Sequence, residues 1–287
     1  MLVYHSYTEY GAWDGELYGI DLKSGRRSHL NSGWKSMISP INAHFNADAT
    51  LMTFMGSDSS VAEYEWDVFV SRWTGSTWGE PVNLTGPNGK RDEDPKFSPT
   101  QDLITYKENG VLAVIGADGK GQRLLTLGAD ESSMPYFTTD GKSLIFERGG
   151  EIWLHELSTG SERVLWQRGP GHAYYPIGAT AERFLFTEVQ PTGHDRTVWG
   201  YYDGRKAQPL FNGSTECDNS DPYPYQAGNR YIFYVTGCAF IFKGGYNLAV
   251  LDLKTKQVYD VDDINPDANS SNQELGPAWT PVVRLPK

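Results

Sequence analysis

Short runs of alternating apolar and polar residues recur along the whole chain, punctuated by turns of Gly, Asp, Asn, Ser and Thr. Five segments share one pattern: an apolar or aromatic residue, a short polar turn, then an alternating run with an aromatic nine positions on. The pairs are Phe45 with Phe54, Phe97 with Tyr106, Phe137 with Phe146, Ile177 with Phe186, and Tyr225 with Tyr234. Thr139-Asp140-Gly141-Lys142 and Ala227-Gly228-Asn229, between such pairs, have hairpin-turn chemistry. The first members follow one another after 52, 40, 40 and 48 residues, the length of a four-stranded blade.

A second hairpin follows each of these. Residues 112–114 lead through a Gly-Ala-Asp-Gly-Lys-Gly turn to Leu124-Leu125, 152–154 through Ser158-Thr159-Gly160 to Val164-Leu165, and 248–253 through Lys254-Thr255-Lys256 to 258–261. Residues 68–70 and 198–202 open the equivalents in the longer repeats, and 17–22 with Lys23-Ser24-Gly25 make a sixth at the N-terminus. That first blade lacks its innermost strand. Glu274-Leu275-Gly276-Pro277-Ala278-Trp279-Thr280-Pro281 is the candidate to supply it, with Trp279 lying 54 residues after Tyr225. A ring closed by both termini leaves no exposed sheet edge. The pattern therefore predicts an all-β, single-domain, six-bladed β-propeller of four-stranded antiparallel blades over residues 1–287. Blade one is split between 1–31 and 274–283. The others are 41–85, 94–128, 134–166, 174–211 and 221–262.

The wording of the repeats carries a family resemblance. Asp94-Pro95-Lys96-Phe97-Ser98-Pro99 and Met134-Pro135-Tyr136-Phe137-Thr138-Thr139-Asp140-Gly141-Lys142 resemble the D-P-x-F-S-P-D-G signature of TolB-like, WD40-like (PD40) propeller repeats. Trp78-Gly79-Glu80-Pro81-Val82-Asn83-Leu84-Thr85 resembles the outer strand of the same repeat. Blades five and six depart from it, since Ile177-Gly178-Ala179-Thr180 lacks the Ser-Pro-Asp-Gly turn. The resemblance implies a propeller from a functionally broad group: periplasmic scaffolds, protease-associated propellers and polysaccharide lyases. The fold alone does not choose among them.

Composition narrows the classes. Hydrophobic residues make up 39% and aromatics 13%, enough for a large core and outside the disordered range. No apolar stretch approaches the ~18–20 residues that span a bilayer, so no membrane span is expected. Leu2-Val3-Tyr4 already reads as strand, so any export signal is expected to have been removed or never to have existed. A net charge of −11 argues against nucleic acid as a partner, because like charges repel. A Gly-rich phosphate loop and a Ser nucleophile elbow are both missing.

Loops entering the inner strands, and those joining second to third strands, open on one face, here the top. Three groups stand out among them. His172, Tyr175, His194 and Arg196, with Tyr174, offer bases and a cation. Proton abstraction next to a carboxylate needs that set, as in a polysaccharide lyase acting on a uronic acid. The same residues also suit strand packing and solvated loops. Glu93, Asp94, Glu131, Asp221 and Glu274 precede inner strands. Together they would ring the channel mouth and could hold Ca²⁺, which takes six to eight oxygens; singly they would cap turns. Trp13, Trp34, Trp66, Phe240 and Phe242 offer flat faces for sugars or peptides, or pack between blades. His44, Arg91, Tyr223 and Lys243 complete the expected ligand-binding set.

The expected function is an exported (periplasmic, cell-surface or secreted) monomer that binds or processes a polysaccharide or oligosaccharide on this face. The alternative is a non-enzymatic scaffold for a protein partner. Cys217 and Cys238 bear on export. They flank the first hairpin of blade six, and antiparallel partners across one turn have nearly constant number sums. Tyr225 and Tyr231 sum to 456, Cys217 and Cys238 to 455. The cysteines therefore face each other, within the ~4.4–6.8 Å Cα separation of a disulfide. Such a bond implies an oxidising compartment.

Overall fold

The computed structural model describes residues 1–58, 65–128, 130–210, 217–225, 230–238 and 243–286. The chain folds into six four-stranded antiparallel sheets arranged as the blades of a propeller. In blades two to six the strands follow one another outward in chain order. Blade one takes its inner strand from Gln273–Trp279, which pairs with Leu2–Tyr7 through Leu2–Trp279, Val3–Ala278, His5–Leu275 and Ser6–Glu274. The ring is thus closed by the two ends of the chain. Exposed edges are confined to short outer strands such as Val82–Asn83, Arg123–Leu124 and Gln208–Pro209.

Alternation along each strand sends side chains to both neighbouring blades, and six buried clusters fill the six blade interfaces. Val68 and Val70 pack with Phe97 and Tyr106 between blades two and three; Leu112 and Val114 with Phe137 and Phe146 between three and four. Ile145 and Leu154 meet Phe184 and Phe186, Leu185 meets Tyr234, Tyr4 meets Phe233, and Val3 meets Phe45 around the rest of the ring. The five recurring aromatics Phe54, Tyr106, Phe146, Phe186 and Tyr234 are each 0% exposed. Burying such a side chain contributes roughly 1.5–3 kcal/mol, so their spacing is the repeat's energetic skeleton.

The turns follow side-chain chemistry. In Thr138–Lys142 the Asp140 carboxylate accepts from the Thr138 hydroxyl (2.7 Å) and the Lys142 N–H (3.1 Å), while Gly141 takes φ 70°. Blade five lacks that aspartate, and the Thr180 hydroxyl accepts from the Glu182 N–H (3.2 Å) and the Arg183 N–H (3.1 Å) instead. The hairpin survives although the signature is gone.

Every inner strand is broken by a bulge. At equivalent places sit residues of positive φ: Asn42 (57°), Asp94 (55°), Met134 (52°), Tyr175 (47°), Asp221 (47°) and Gly276 (58°); blade two has a second irregularity, with Ser39 at 51°. Proline follows in five of the six, which deprives the ladder of an N–H at that point. These six positions line the central channel.

Candidate binding site

The channel is crossed by polar contacts between blades far apart in sequence. Asn42 Nδ2 donates to Asp94 Oδ1 (2.8 Å), and the Tyr175 hydroxyl reaches the same oxygen from blade five (3.4 Å). Lys96, two residues after Asp94, enters a small cavity of about 30 Å³ shared with Asn42, Tyr175, Asp221 and Gly276. That volume has room for a water. Burial pushes the Asp221 carboxyl up to about 7, with Asp195 and Asp94 adding to the shift and Lys96 opposing it. Burial also raises Asp94 and lowers Lys96, so all three charges are weakened towards neutrality. His5 and His44, both buried, are held neutral, their imidazoles lowered to about 3 by burial and then by Lys96.

On the top face of blades five and six the structure assembles a different group from the one expected. The Tyr174 hydroxyl donates to Asp195 Oδ2 (2.5 Å). Asp218 Oδ1 accepts from the Asp195 N–H (3.0 Å) and lies 3.2 Å from His194 Nδ1, and the Tyr246 hydroxyl donates to Asp218 Oδ2 (2.8 Å). His172 is exposed at the start of the inner strand, close enough with His194 to favour the charged form of Asp195. Burial raises the Asp195 carboxyl overall. The four residues nominated for chemistry are divided. Tyr175 points into the channel, His194 is bonded to Asp218, and Arg196 is paired with Glu188 (2.8 Å). Asp195, Asp218 and Tyr246 were missed, because only the fold brings their loops together. Arg168 was missed too. It packs with His172 against Gly150, where an added Cβ would lie 3.3 Å from Arg168 Cδ and 2.8 Å from His172 Cβ.

The carboxylates do not meet as one ring. Glu93 is bonded to Arg91 (2.7 Å) and Lys107 (2.5 Å), and exposed Glu131 to Lys107 (3.3 Å). Glu274 accepts from Ser6 (3.0 Å) and Ser270 (2.6 Å). Only Asp94 and Asp221 reach the channel. Among the described residues no group of three or more His, Cys, Asp or Glu side chains is placed to hold a metal ion. The physical reason is local: each outer carboxylate already has cations or hydroxyls at hand.

The aromatic group is placed at the blade-one and blade-two rim. Trp13 stacks on Trp66 (centroids 4.2 Å), Tyr10 lies 6.0 Å from Trp66 and 6.3 Å from Tyr7, and Tyr7 stacks on His5 (5.6 Å). Trp66 is buried, Trp13 half-buried and Tyr10 51% exposed. The Tyr10 hydroxyl accepts from Arg91 Nη2 (2.9 Å). Trp34 belongs elsewhere: it stacks on Phe54 (4.9 Å) within the first blade interface. Lys243 is paired with Asp262. His44 and Tyr223 lie lower in the channel, and Phe240 and Phe242 lie outside the described residues.

Cys217 and Cys238 are joined in a disulfide with Cα atoms 5.2 Å apart. The bulge in Asn219–Pro224 explains the two sums: Tyr223 pairs with Phe233, but beyond the bulge Ser220 pairs with Val235, a register that brings Cys217 opposite Cys238.

No family model matches the chain, and no curated protein matches it in sequence. Solved structures do match in shape. A putative TolB from Agrobacterium tumefaciens aligns with a TM-score of 0.68 at 13% identity, covering 90% of this chain and 88% of that one. TolB from Acinetobacter baumannii aligns at 0.73 and 14% identity, covering 97% of this chain and 66% of that one. The fold is that of the TolB-type propellers. An oligogalacturonate lyase in complex with manganese also aligns, at 0.55 and 12% identity over 90% of this chain and 72% of that one. At such identities the likeness concerns the fold.

Proposed function

We propose that this propeller is an exported, non-catalytic module that binds a glycan on its top face. The observation that carries the reading is the aromatic ladder His5–Tyr7–Tyr10–Trp66–Trp13, which runs from the channel to an exposed ring at the rim. A rigid aromatic face covers the C–H surface of a sugar at small entropic cost. The carboxylates and hydroxyls of Asp195, Asp218 and Tyr246 supply the acceptors and donors that sugar hydroxyls need. Export is supported by the disulfide.

Binding is favoured over elimination because Arg196 is neutralised by Glu188 and Tyr175 faces away into the channel. One observation supports a lyase nonetheless: exposed His172 and exposed Arg168, a base and a cation, both lie against Gly150. Thermal shift against a panel of neutral and acidic polysaccharides, with ultraviolet absorbance to detect unsaturated products, separates the readings. We expect stabilisation without product, lost in Tyr10→Ala. Product formation abolished by His172→Ala would establish the lyase. No response to any polysaccharide would leave the protein-partner scaffold.

A further inference from the structure

The bottom face carries a second cavity, independent of the top-face reading. It opens at the lower mouth of the channel and holds about 260 Å³, just below the usual ~300–1,000 Å³ of small-molecule sites. Its walls are apolar, with Phe97, Phe137, Trp279 and Pro281 among them. Its inner end is polar. His44 Nε2 lies 3.1 Å from the Tyr136 hydroxyl and 3.3 Å from that of Tyr223, and the two hydroxyls are 3.2 Å apart.

Counting protons in this triangle leaves one over. The Phe97 N–H donates to His44 Nδ1 (3.0 Å), so the lone pair is on Nδ1. The imidazole is buried and neutral, which places its single proton on Nε2, as a donor. Three protons, one N–H and two O–H, then face only two acceptor atoms, the tyrosine oxygens. If the N–H goes to one oxygen and that hydroxyl donates to the other, the last hydroxyl proton finds its neighbours' positions taken. Among the described residues no other acceptor bonds to either hydroxyl. One hydroxyl proton of the triangle is therefore left to be given to an acceptor outside it. Tyr136, the triangle's half-buried member, lines the lower cavity and not the upper one, so the spare proton is directed downward.

We infer that this cavity binds a small, uncharged organic molecule, with a ring or branched apolar body against the aromatic walls and a carbonyl or amide oxygen on the spare hydroxyl. An anion is disfavoured, since among the described residues no cationic side chain lines the cavity, and the chain carries a net charge of −11. Lys96 lies beyond the triangle, in the upper cavity.

The probes are acetophenone and benzamide, ethylbenzene as a hydrocarbon of matching shape, and benzoate as the anion, read by saturation-transfer NMR and calorimetry on the intact protein. We expect the two carbonyl probes to bind at least tenfold more tightly than ethylbenzene or benzoate. Ala47→Trp, at an exposed residue of the rim, should abolish that binding without lowering the melting temperature. Equal affinity for acetophenone and ethylbenzene would overturn the hydroxyl assignment. Preference for benzoate, binding that survives Ala47→Trp in a folded protein, or no binding by any probe would overturn the site itself.

Discussion

The Ser6 hydroxyl donates to Glu274 Oε1 at 3.0 Å, joining residues 268 apart in sequence at the seam where the ring closes. The same carboxylate accepts from Ser270 Oγ (2.6 Å) and Asn247 Nδ2 (3.4 Å), so it ties blade six to blade one as well. Glu274→Ala leaves these buried donors unmet and should destabilise the protein by about 1–3 kcal/mol. Deleting the chain from Glu274 onwards removes the inner strand of blade one, exposes a strand edge and should give an aggregating protein. A truncated protein that melts with the full chain would refute closure by this strand.

The disulfide ties Cys238, just past the strand Tyr231–Thr236, to Cys217, the residue before Asp218. Denatured, unreduced protein should show no reactive thiol. Reduction, or Cys238→Ala, should lower stability by about 3 kcal/mol, the value for a closed loop of this size. An unchanged denaturant midpoint after reduction would contradict a stabilising role.

Asp221 gives stability a defined dependence on pH. Its carboxyl titrates at about 7 in the folded protein against an ordinary 3.8. Between those values the folded chain holds a proton that the unfolded chain has lost. Asp221 therefore draws stability away as pH rises from about 4 to 7. His5 and His44 act in the opposite sense: lowered from 6.5 to about 3, they stabilise above 6.5, and that stability is lost as pH falls towards 3. In Asp221→Asn the carboxyl contribution is gone. Its melting temperature relative to the parent should climb from pH 4 to 7 and level off above. Parallel curves for the two proteins would show that Asp221 is not held protonated.

His172 and Tyr175, three residues apart on one strand, should respond differently to substitution. His172 is exposed, and His172→Ala should change stability by less than about 0.5 kcal/mol. Tyr175 sits at a positive-φ bulge with its hydroxyl on Asp94, and Tyr175→Phe should cost about 0.5–1.5 kcal/mol. Equal effects in chemical denaturation would mean that the channel contact carries no energy.

The propeller was legible because its determinants are local and repeated. Hairpin turns, nine-residue aromatic pairs and blade-length spacing all act within one blade, and the cysteine pairing follows from one hairpin's register. The channel ring was legible in principle too. Asp94-Pro95, Met134-Pro135, Tyr175-Pro176, Asp221-Pro222 and Gly276-Pro277 all stand a few residues before the anchors Phe97, Phe137, Ile177, Tyr225 and Trp279 of their repeats, a signal that proline's missing N–H makes meaningful. Which side chains meet across the ring was not. Asn42, Asp94 and Tyr175 come from blades two, three and five, and His44, Tyr136 and Tyr223 from blades two, four and six. Sequence spacing governs how a strand pairs with its neighbour. It says nothing of which distant carboxylate a cation will neutralise, or which hydroxyl is left with a proton to give. Those outcomes depend on convergence at the axis, where burial and pairing set the charge of every group, and only the closed ring creates that axis.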